Sequence, residues 1–163
     1  MLFDVKKIFN AYDAPIKVEE KIDLSQENFP GYEVRDPVRA IFEAELNGKI
    51  LDFKIFLEAQ VDYECARCLE PSQQIFRVDR VYPIRETDLS DIDAELPFLP
   101  DGKLDTHELA YSELLLEVPT VLLCSDDCAG LCPICGRKKP CACTHETNDA
   151  VDERLSILKQ LLS

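Results

Sequence analysis

The sequence predicts an α+β protein in which an antiparallel β-meander precedes a cysteine-rich segment set between two C-terminal helices. Three observations support this fold class: apolar and polar residues alternate through the first half, two helix-like patterns follow, and six of the eight cysteines lie between those patterns. A chain of 163 residues is long enough to bury one hydrophobic core. We therefore predict a single domain over residues 1–163, mainly β over residues 1–85.

Alternation with a period of two indicates the first strands. Residues 14–24 place their apolar side chains on one parity, namely Ile16, Val18, Ile22 and Leu24. Residues 38–46 repeat the pattern. Asn47 and Gly48 then offer the two positive-φ positions that a tight hairpin turn requires. The sequence thus predicts two strands and a turn that leads into a third strand.

The longest alternation begins after that turn. Apolar residues occupy every second position from Leu51 to Tyr63, and the same parity continues to Cys65. We therefore expect Cys65 at the end of the strand and Cys68 on the turn that follows. The segment "QQIFRVDRVYPI" predicts the returning strand, which completes the antiparallel meander.

An acidic loop is predicted over residues 86–104. The formal net charge of the chain is -14, and the stretch Glu86–Glu108 holds eight acids against the single Lys103. Such a stretch is typical of a solvated loop or of a docking surface for a basic partner. We regard four of its acids as candidate partner contacts: Asp88, Asp91, Asp93 and Glu95.

Two helices are predicted after the acidic loop. The first covers residues 105–118, because Asp105 followed by Glu108 resembles a capping box and Pro119 ends the pattern. The second covers residues 151–162, where one helical stripe contains Val151, Leu155, Leu158 and Leu162.

The cysteines are interpreted as metal ligands. The chain shows no apolar run of signal-peptide length at its start and no stretch long enough to span a membrane, so we expect a cytoplasmic protein. In that reducing compartment, clustered cysteines are more often metal ligands than disulfides. Residues 124–143 are therefore interpreted as a zinc-binding segment, and we expect two structural zinc ions per chain.

The spacing favours two sets of four cysteines. In "CPICG", two thiols flank two residues and precede a glycine, as a zinc-binding turn requires, and two more cysteines follow closely. This set contains Cys132, Cys135, Cys141 and Cys143. The other set joins the strand end to the cysteine-rich segment and contains Cys65, Cys68, Cys124 and Cys128. Two alternatives stay open: a zinc ribbon that unites the two C-x-x-C pairs, and a single occupied site.

Redox and catalytic roles are less well supported. A thioredoxin-like role for Cys65 and Cys68 needs the first thiol at a helix N-terminus, whereas strands are predicted on both sides of this pair. A cysteine nucleophile needs a histidine base, and the chain has only His107 and His145. We interpret His107 as a surface residue and His145 as an alternative zinc ligand. We therefore expect no enzymatic activity.

The order of the motifs is itself specific. "CARCL" is followed by an acidic stretch, then "DTHELAYSELLLEVPTVLLCSDDCAGLCPICG", then "CAC" and "DERLSILKQL". This order resembles the bacterial YceD family, the large-ribosomal-RNA-accumulation proteins. Two departures stand out: Arg137, Lys138 and Lys139 replace the common Asn-Leu-Asn, and Glu153 replaces a common proline. The resemblance implies a role in accumulation or maturation of large-subunit (23S) ribosomal RNA.

The expected function is that of a non-enzymatic ribosome-biogenesis factor. An acidic surface suits a basic ribosomal protein, or a large-subunit precursor that displays one, and repels naked nucleic acid. The one local cationic patch is the turn Arg137, Lys138 and Lys139, whose direct binding to RNA stays open. The alternative function is an RNA-processing enzyme or a nuclease cofactor acting on the large-subunit rRNA precursor. We expect neither DNA nor a membrane among the partners.

Overall fold

The computed structural model describes residues 2–11, 15–90, 96, 99 and 101–143. In chain order, its elements are β1 (Leu2–Asp4), α1 (Val5–Ala11), β2 (Ile16–Ile22), β3 (Tyr32–Glu33), β4 (Val38–Asn47), β5 (Ile50–Glu64), β6 (Pro71–Arg85), a 3₁₀ helix (Glu86–Ser90), β7 (Lys103–Asp105) and α2 (Thr106–Glu117). The antiparallel sheets and two helices confirm the α+β class. The helix predicted over residues 151–162 lies outside the described residues.

Two compact units divide the chain, Met1–Cys128 and Ala129–Ser163. The first unit contains all the strands and helices just given, and the second contains the last four cysteines. The single domain expected from sequence stays a prediction. In the described parts of the chain, no helix is long and apolar enough to cross a membrane.

The main sheet is organised around β5. β6 pairs with the whole length of β5, and β4 pairs with its first part, which makes the predicted meander of β4, β5 and β6. β3 pairs with β5 at Tyr63 and Asp62, and β2 lies beyond β4. A second, two-stranded sheet pairs β1 with β7.

The turn between β4 and β5 differs from the prediction by one residue. Asn47 pairs with Ile50 as the last pair of the ladder, so the two loop residues are Gly48 and Lys49. Gly48 has a φ of 68°, and Asn47 is not in the left-handed region. A single glycine at the first loop position is sufficient for the tight turn that the twist of the strands favours.

The core lies on the face of the sheet that the alternation of β5 predicts. Leu51, Phe53, Ile55, Leu57 and Val61 are fully buried. Their neighbours on β4 point the same way because antiparallel partners share a face. The buried side chains of β4 and β5 belong to one continuous hydrophobic core, to which α2 adds Leu109, Ala110 and Leu114.

Helix α2 begins and ends as its sequence predicts. The Asp105 carboxylate accepts a hydrogen bond from the His107 backbone N–H (3.0 Å) and so caps the first turn. At the other end, the Val118 N–H donates to the Leu114 carbonyl (3.0 Å) just before Pro119. The capped end of α2 therefore fixes the point from which the chain continues to Cys124.

A buried polar network lies between α2 and β6. The Tyr82 hydroxyl donates to Glu113 Oε1 (2.6 Å), and the Glu113 carboxylate is buried. Arg80 Nη1 is 3.2 Å from Glu113 Oε2, at ion-pair distance but without hydrogen-bond alignment. Burial raises the pKa of Tyr82, and the Glu113 carboxylate adds to that effect. The network links the helix to the sheet through three side chains.

The acidic range is only partly described. Its first residues form the 3₁₀ helix, where Asp88 accepts a hydrogen bond from the Arg85 N–H (2.8 Å), and Lys103 already begins β7. The range predicted as a loop over residues 86–104 thus contains regular structure at both ends. The candidate contacts Asp91, Asp93 and Glu95 lie outside the described residues.

Candidate metal centres

The first cysteine cluster is built on the hairpin between β5 and β6. Cys65 directly follows β5, and its N–H donates to the Glu70 carbonyl (3.0 Å), which closes the turn. The Leu69 N–H donates to the Cys65 carbonyl (2.9 Å), and Leu69 has a φ of 60°. A left-handed leucine costs conformational energy, so the turn is held by its surroundings. As a result Cys68 is directed toward Cys65.

The chain that follows α2 supplies the other two thiols of this cluster. The Ala66 N–H donates to the Leu122 carbonyl (2.9 Å), and the Tyr63 hydroxyl donates to the Leu123 carbonyl (2.9 Å). Arg67 Nη1 donates to the Cys128 carbonyl (3.0 Å). These three contacts attach the chain before and after Cys124 to the hairpin.

The four thiols of the first cluster are mutually close and mostly buried. The Sγ atoms of Cys65 and Cys128 are 3.8 Å apart, and those of Cys68 and Cys124 are 3.6 Å apart. All four sulfurs lie within 4.8 Å of one another. Four thiolates around one zinc ion at about 2.3 Å have S–S distances of about 3.8 Å. The cluster therefore has the size of a tetrahedral zinc site.

The second cluster is contained in a short, glycine-assisted turn. Its sulfurs, from Cys132, Cys135, Cys141 and Cys143, also lie within 4.8 Å of one another. The Cys132 N–H donates to the Arg137 carbonyl (2.7 Å), and the Gly136 N–H donates to the Cys132 carbonyl (2.8 Å). Gly136 has a φ of 69°, which a residue with a Cβ adopts only under strain. We call residues 132–139 the knuckle.

Backbone N–H groups favour ionisation of one thiol in each cluster. Hydrogen bonding to the Cys124 backbone lowers the pKa of Cys65 to about 6. Hydrogen bonding to the Cys135 backbone likewise lowers the pKa of Cys132 to about 6. Each cluster therefore has one thiol prepared to be a thiolate at neutral pH.

Other thiols in the clusters resist ionisation. At Cys143, hydrogen bonding with the Cys135 side chain, together with burial, raises the pKa to about 12. At Cys68, the Glu70 backbone acts to lower the pKa, but burial and the neighbouring thiols outweigh it and raise the pKa to about 12. Further thiolates need a nearby positive charge, which a bound divalent cation supplies as it displaces the protons.

The donor set decides which metals fit. Each cluster could hold one metal ion, and four sulfur donors in tetrahedral reach suit zinc, or iron in a sulfur site, better than magnesium or calcium. With four protein ligands the coordination sphere is closed, so no position is left for a reactive water. Such an ion would cross-link the chain.

The eight thiols form the two sets of four that the spacing favours, and the two C-x-x-C pairs lie in different sets, unlike in a zinc ribbon. Cys65 and Cys68 stand at a hairpin and are not at a helix N-terminus, so the thioredoxin-like interpretation lacks its structural basis. His107 Nε2 lies 3.2 Å from the Asp23 carbonyl oxygen, outside both clusters. His145 lies outside the described residues.

The comparisons with known proteins cover both clusters. The family described as large ribosomal RNA subunit accumulation protein YceD matches residues 53–162, a range that includes all eight cysteines. This chain belongs to the YceD family. No solved structure is significantly similar to it.

The curated relatives that this YceD chain matches here are named as uncharacterized proteins. An uncharacterized protein of Mycobacterium tuberculosis is 31% identical over 103 residues, which cover 61% of this chain and 49% of the relative. The uncharacterized protein YlbN of Bacillus subtilis is 25% identical over 150 residues, which cover 88% of this chain and 86% of the relative. The chain thus spans about half the length of the mycobacterial relatives it matches.

Three residues that support the first cluster of this YceD chain carry no signal in its sequence. Tyr63 belongs to the apolar alternation of β5, which does not indicate that its hydroxyl reaches Leu123, 60 residues away. Arg67 lies between Cys65 and Cys68, and the C-x-x-C spacing does not depend on which residues separate the two cysteines. Leu69 has the backbone conformation of a glycine. Only the fold reveals these roles.

A groove of about 940 Å³ lies beside β3 and the turn end of the β5–β6 hairpin. The charged residues that line it are Glu27, Glu33, Asp62, Glu64 and Arg35. The guanidinium of the one arginine lies 2.8 Å from the Glu33 carboxylate and 3.7 Å from that of Asp62. The groove therefore carries an excess of negative charge that a cationic chain would complement.

Proposed function

We propose that this protein is a non-enzymatic, cytoplasmic ribosome-biogenesis factor that supports accumulation and maturation of large-subunit (23S) ribosomal RNA. The observation that carries this proposal is the match to the YceD family over residues 53–162, because the family description names large ribosomal RNA subunit accumulation. The match includes every residue of the two cysteine clusters, so the proposed role and the candidate metal centres belong to the same region.

The metal part of the proposal is two structural zinc ions per chain. Cys65, Cys68, Cys124 and Cys128 would hold the first ion, and the other four cysteines the second. The closed four-thiolate geometry supports a structural role, since a catalytic zinc keeps one position open for water or substrate. Zinc at the first site would bind the β5–β6 hairpin to the chain after α2.

The partner part of the proposal is a basic ribosomal protein, or a large-subunit precursor that displays one. Residues 1–128 contain 28 acids against 13 lysines and arginines, a formal charge of -15. The acidic stretch Glu86–Glu108 and the acidic groove belong to this unit. A strongly acidic surface steers a basic partner toward it and repels the phosphates of naked RNA.

Affinity capture tests the partner. The tagged chain, loaded with zinc, is incubated with a bacterial lysate in about 50 mM KCl, where charge steering is strong. We expect large-subunit ribosomal proteins or their precursor particle to be enriched, and lost when the salt is raised. Capture that is unchanged by salt, or that contains no large-subunit component, would contradict the proposal.

A pair of matched variants locates the acidic contact. The amide variant D88N/D91N/D93N/E95Q should weaken binding of the captured protein by about tenfold, because the charges that steer it are gone. The control D36N/E45Q/D79N/D126N removes the same charge from exposed positions elsewhere in the first unit and should change binding less than twofold. Both variants should keep their zinc content. Equal weakening by the two would show that net charge alone matters.

The absence of catalysis is also part of the proposal, and the rival function is an RNA-processing enzyme or nuclease cofactor. A precursor transcript that contains 23S rRNA sequence, incubated with the zinc-loaded protein, should stay intact. Cleavage that depends on the protein and survives mutation of a cysteine ligand would favour the enzyme instead.

A further inference from the structure

The two units of the chain differ in charge. The first unit has a formal charge of -15, whereas the second, residues 129–163, has five cations against four acids. Within the described part of the second unit, residues 129–143, there is no aspartate or glutamate, and the cationic side chains are Arg137, Lys138 and Lys139. All three are positive and consecutive. The cationic charge of the second unit is therefore concentrated on the knuckle.

The backbone of the knuckle is held in place around these cations. The Arg137 carbonyl accepts from the Cys132 N–H (2.7 Å), and the Lys139 N–H donates to the Gly130 carbonyl (2.9 Å). Between them, Lys138 forms an antiparallel bridge with Leu131. The backbone from which the three side chains extend is thus held by the same short loop that groups the thiols. Cations on a fixed loop lose less entropy on binding than cations on a mobile tail.

An exposed apolar tip lies on the same turn. The side chain of Ile134 is 62% exposed, although a large apolar residue gains free energy when it is covered. Pro133 beside it is exposed as well, as are Arg137 and Lys138. The knuckle therefore presents an apolar surface next to two accessible cations.

We propose that the knuckle binds RNA at an unpaired loop or bulge, with Arg137 and Lys138 on backbone phosphates and Ile134 against an unstacked base. Arg137 is suited to phosphate because its guanidinium presents donors in a fork that matches the phosphate oxygens. Unpaired bases offer the apolar faces that Ile134 can cover, whereas paired bases are already stacked. Lys139, which is half-buried, makes the third phosphate contact at the base of the turn.

An unpaired RNA loop offers phosphates for the cations and an uncovered base face for the apolar tip, so the combination fits RNA, and an acidic polypeptide is the rival occupant that the polyglutamate test separates. The inference extends the proposed function, which concerns a protein partner of the first unit, and places RNA on the second. It does not need the first unit to touch RNA. At physiological salt the screening length is about 8 Å, so each cation of the knuckle acts mainly on phosphates close to it.

The size of the effect is set by the number of cations. Three phosphate contacts on single-stranded RNA give a slope of about -2 in a plot of log affinity against log salt, since each contributes about 0.7. Binding by the isolated protein is therefore expected to be weak and to fall about 20-fold between about 50 and 200 mM salt. We expect this weak RNA contact to position the chain after the basic protein partner has bound the first unit.

Fluorescence anisotropy with a labelled RNA tests the inference. The probe is a hairpin of about 20 nucleotides with an unpaired loop, titrated with the zinc-loaded full chain at several KCl concentrations. R137Q/K138Q/K139Q should lower affinity at least fivefold and remove about two units of salt slope. The charge-preserving variant R137K/K138R/K139R should bind within threefold of the unsubstituted protein. I134S should weaken binding to the hairpin and not to a fully paired duplex.

A control variant removes the same charge from the first unit. K21Q/K49Q/K54Q replaces three exposed lysines, two on strands and one on the β4–β5 turn, and should keep RNA affinity within twofold. Equal loss in the two triple variants, no measurable binding at 50 mM KCl, or equally tight binding of polyglutamate would each overturn the inference. The D88N/D91N/D93N/E95Q variant should retain RNA binding. If the unsubstituted chain captures no large-subunit component but still binds the hairpin RNA, the proposed function alone is contradicted.

Discussion

Arg67 and Cys128 are joined by a hydrogen bond from the guanidinium Nη1 to the backbone carbonyl oxygen, 3.0 Å long and spanning 61 residues of chain. The same Nη1 lies 3.4 Å from the Asp126 carbonyl. Arg67 stands between two thiols of the first cluster, and Cys128 carries a third. This contact holds the two halves of the cluster together independently of any metal.

Arg67→Ala should therefore weaken metal binding at the first cluster. We expect zinc affinity there to fall about tenfold, because groups that position the ligands contribute about that much. Competition with a zinc chelator measures it. Arg77→Ala is the matched control, since Arg77 forms an exposed ion pair with Glu58 on the sheet and should leave zinc affinity within twofold. Equal loss in both would show that Arg67 acts only through charge.

Elemental analysis should find two zinc ions per chain in protein purified without chelator. The reason is that both sets of four thiols have the size of a closed tetrahedral site. The same measurement separates zinc from iron. A reproducible stoichiometry below one, with all eight thiols free to react, would contradict the two-site proposal.

Zinc should leave the second cluster first. In the first cluster Cys65, Cys68 and Cys128 are buried, with 0%, 4% and 5% of their surface exposed. In the second cluster Cys132 alone is buried, with 1% exposed, and Cys135 is exposed. A chelator or an alkylating reagent reaches exposed sulfurs sooner. Time-resolved alkylation read by peptide mass spectrometry should label Cys135 before Cys65, by at least tenfold in rate. The reverse order would mean that local opening, and not static exposure, controls release.

Loss of one ligand should have different consequences in the two clusters. Cys65→Ser should increase hydrogen exchange at the Ala66 amide, whose partner is the Leu122 carbonyl, because the chain after α2 detaches from the hairpin. Cys132→Ser should instead expose the Gly136 and Lys139 amides and leave Ala66 protected. Exchange that rises throughout the chain in Cys132→Ser would show that the two units do not behave independently.

Tyr82→Phe should destabilise the first unit by about 1–2 kcal/mol. The substitution removes the donor to Glu113 Oε1 and leaves a buried carboxylate with one partner fewer. Urea unfolding measures the free energy. Tyr111→Phe, which removes a hydroxyl bonded to the Asn28 carbonyl at the surface, is the control and should cost less than about 0.5 kcal/mol. Equal costs would show that burial of the network has no energetic consequence.

Much of the sheet follows from sequence because alternation is a local property. Residues from Leu51 to Tyr63 point to the core at every second position, and nothing except a strand satisfies that pattern. The cap at Asp105 and the stop before Pro119 are equally local and were predictable. The sequence predicts the hairpin turn one residue too early. Asn47 and Gly48 fit a turn with two positive-φ positions, whereas the structure uses a turn that needs a positive φ only at Gly48.

Short elements were not predictable in the same way. β1 and β7 have three residues each, too few for a pattern, and they exist because they pair with each other across about a hundred residues of chain. Such pairing is a long-range property. The roles of Tyr63 and Arg67 share this origin, since each side chain bonds to a carbonyl about 60 residues away.

By itself, the sequence determined the acidic character of the chain, and it also determined two local features, the strand that ends just before Cys65 and the spacing of Cys132 and Cys135. Each depends on neighbours a few positions apart. The spacing favours the set of Cys65, Cys68, Cys124 and Cys128 but leaves a zinc ribbon open, and only the tertiary structure decided between the two by bringing these four thiols together. The choice came from the end point of α2 and from the contacts of Ala66 with Leu122 and of Tyr63 with Leu123, which bring that chain to the hairpin.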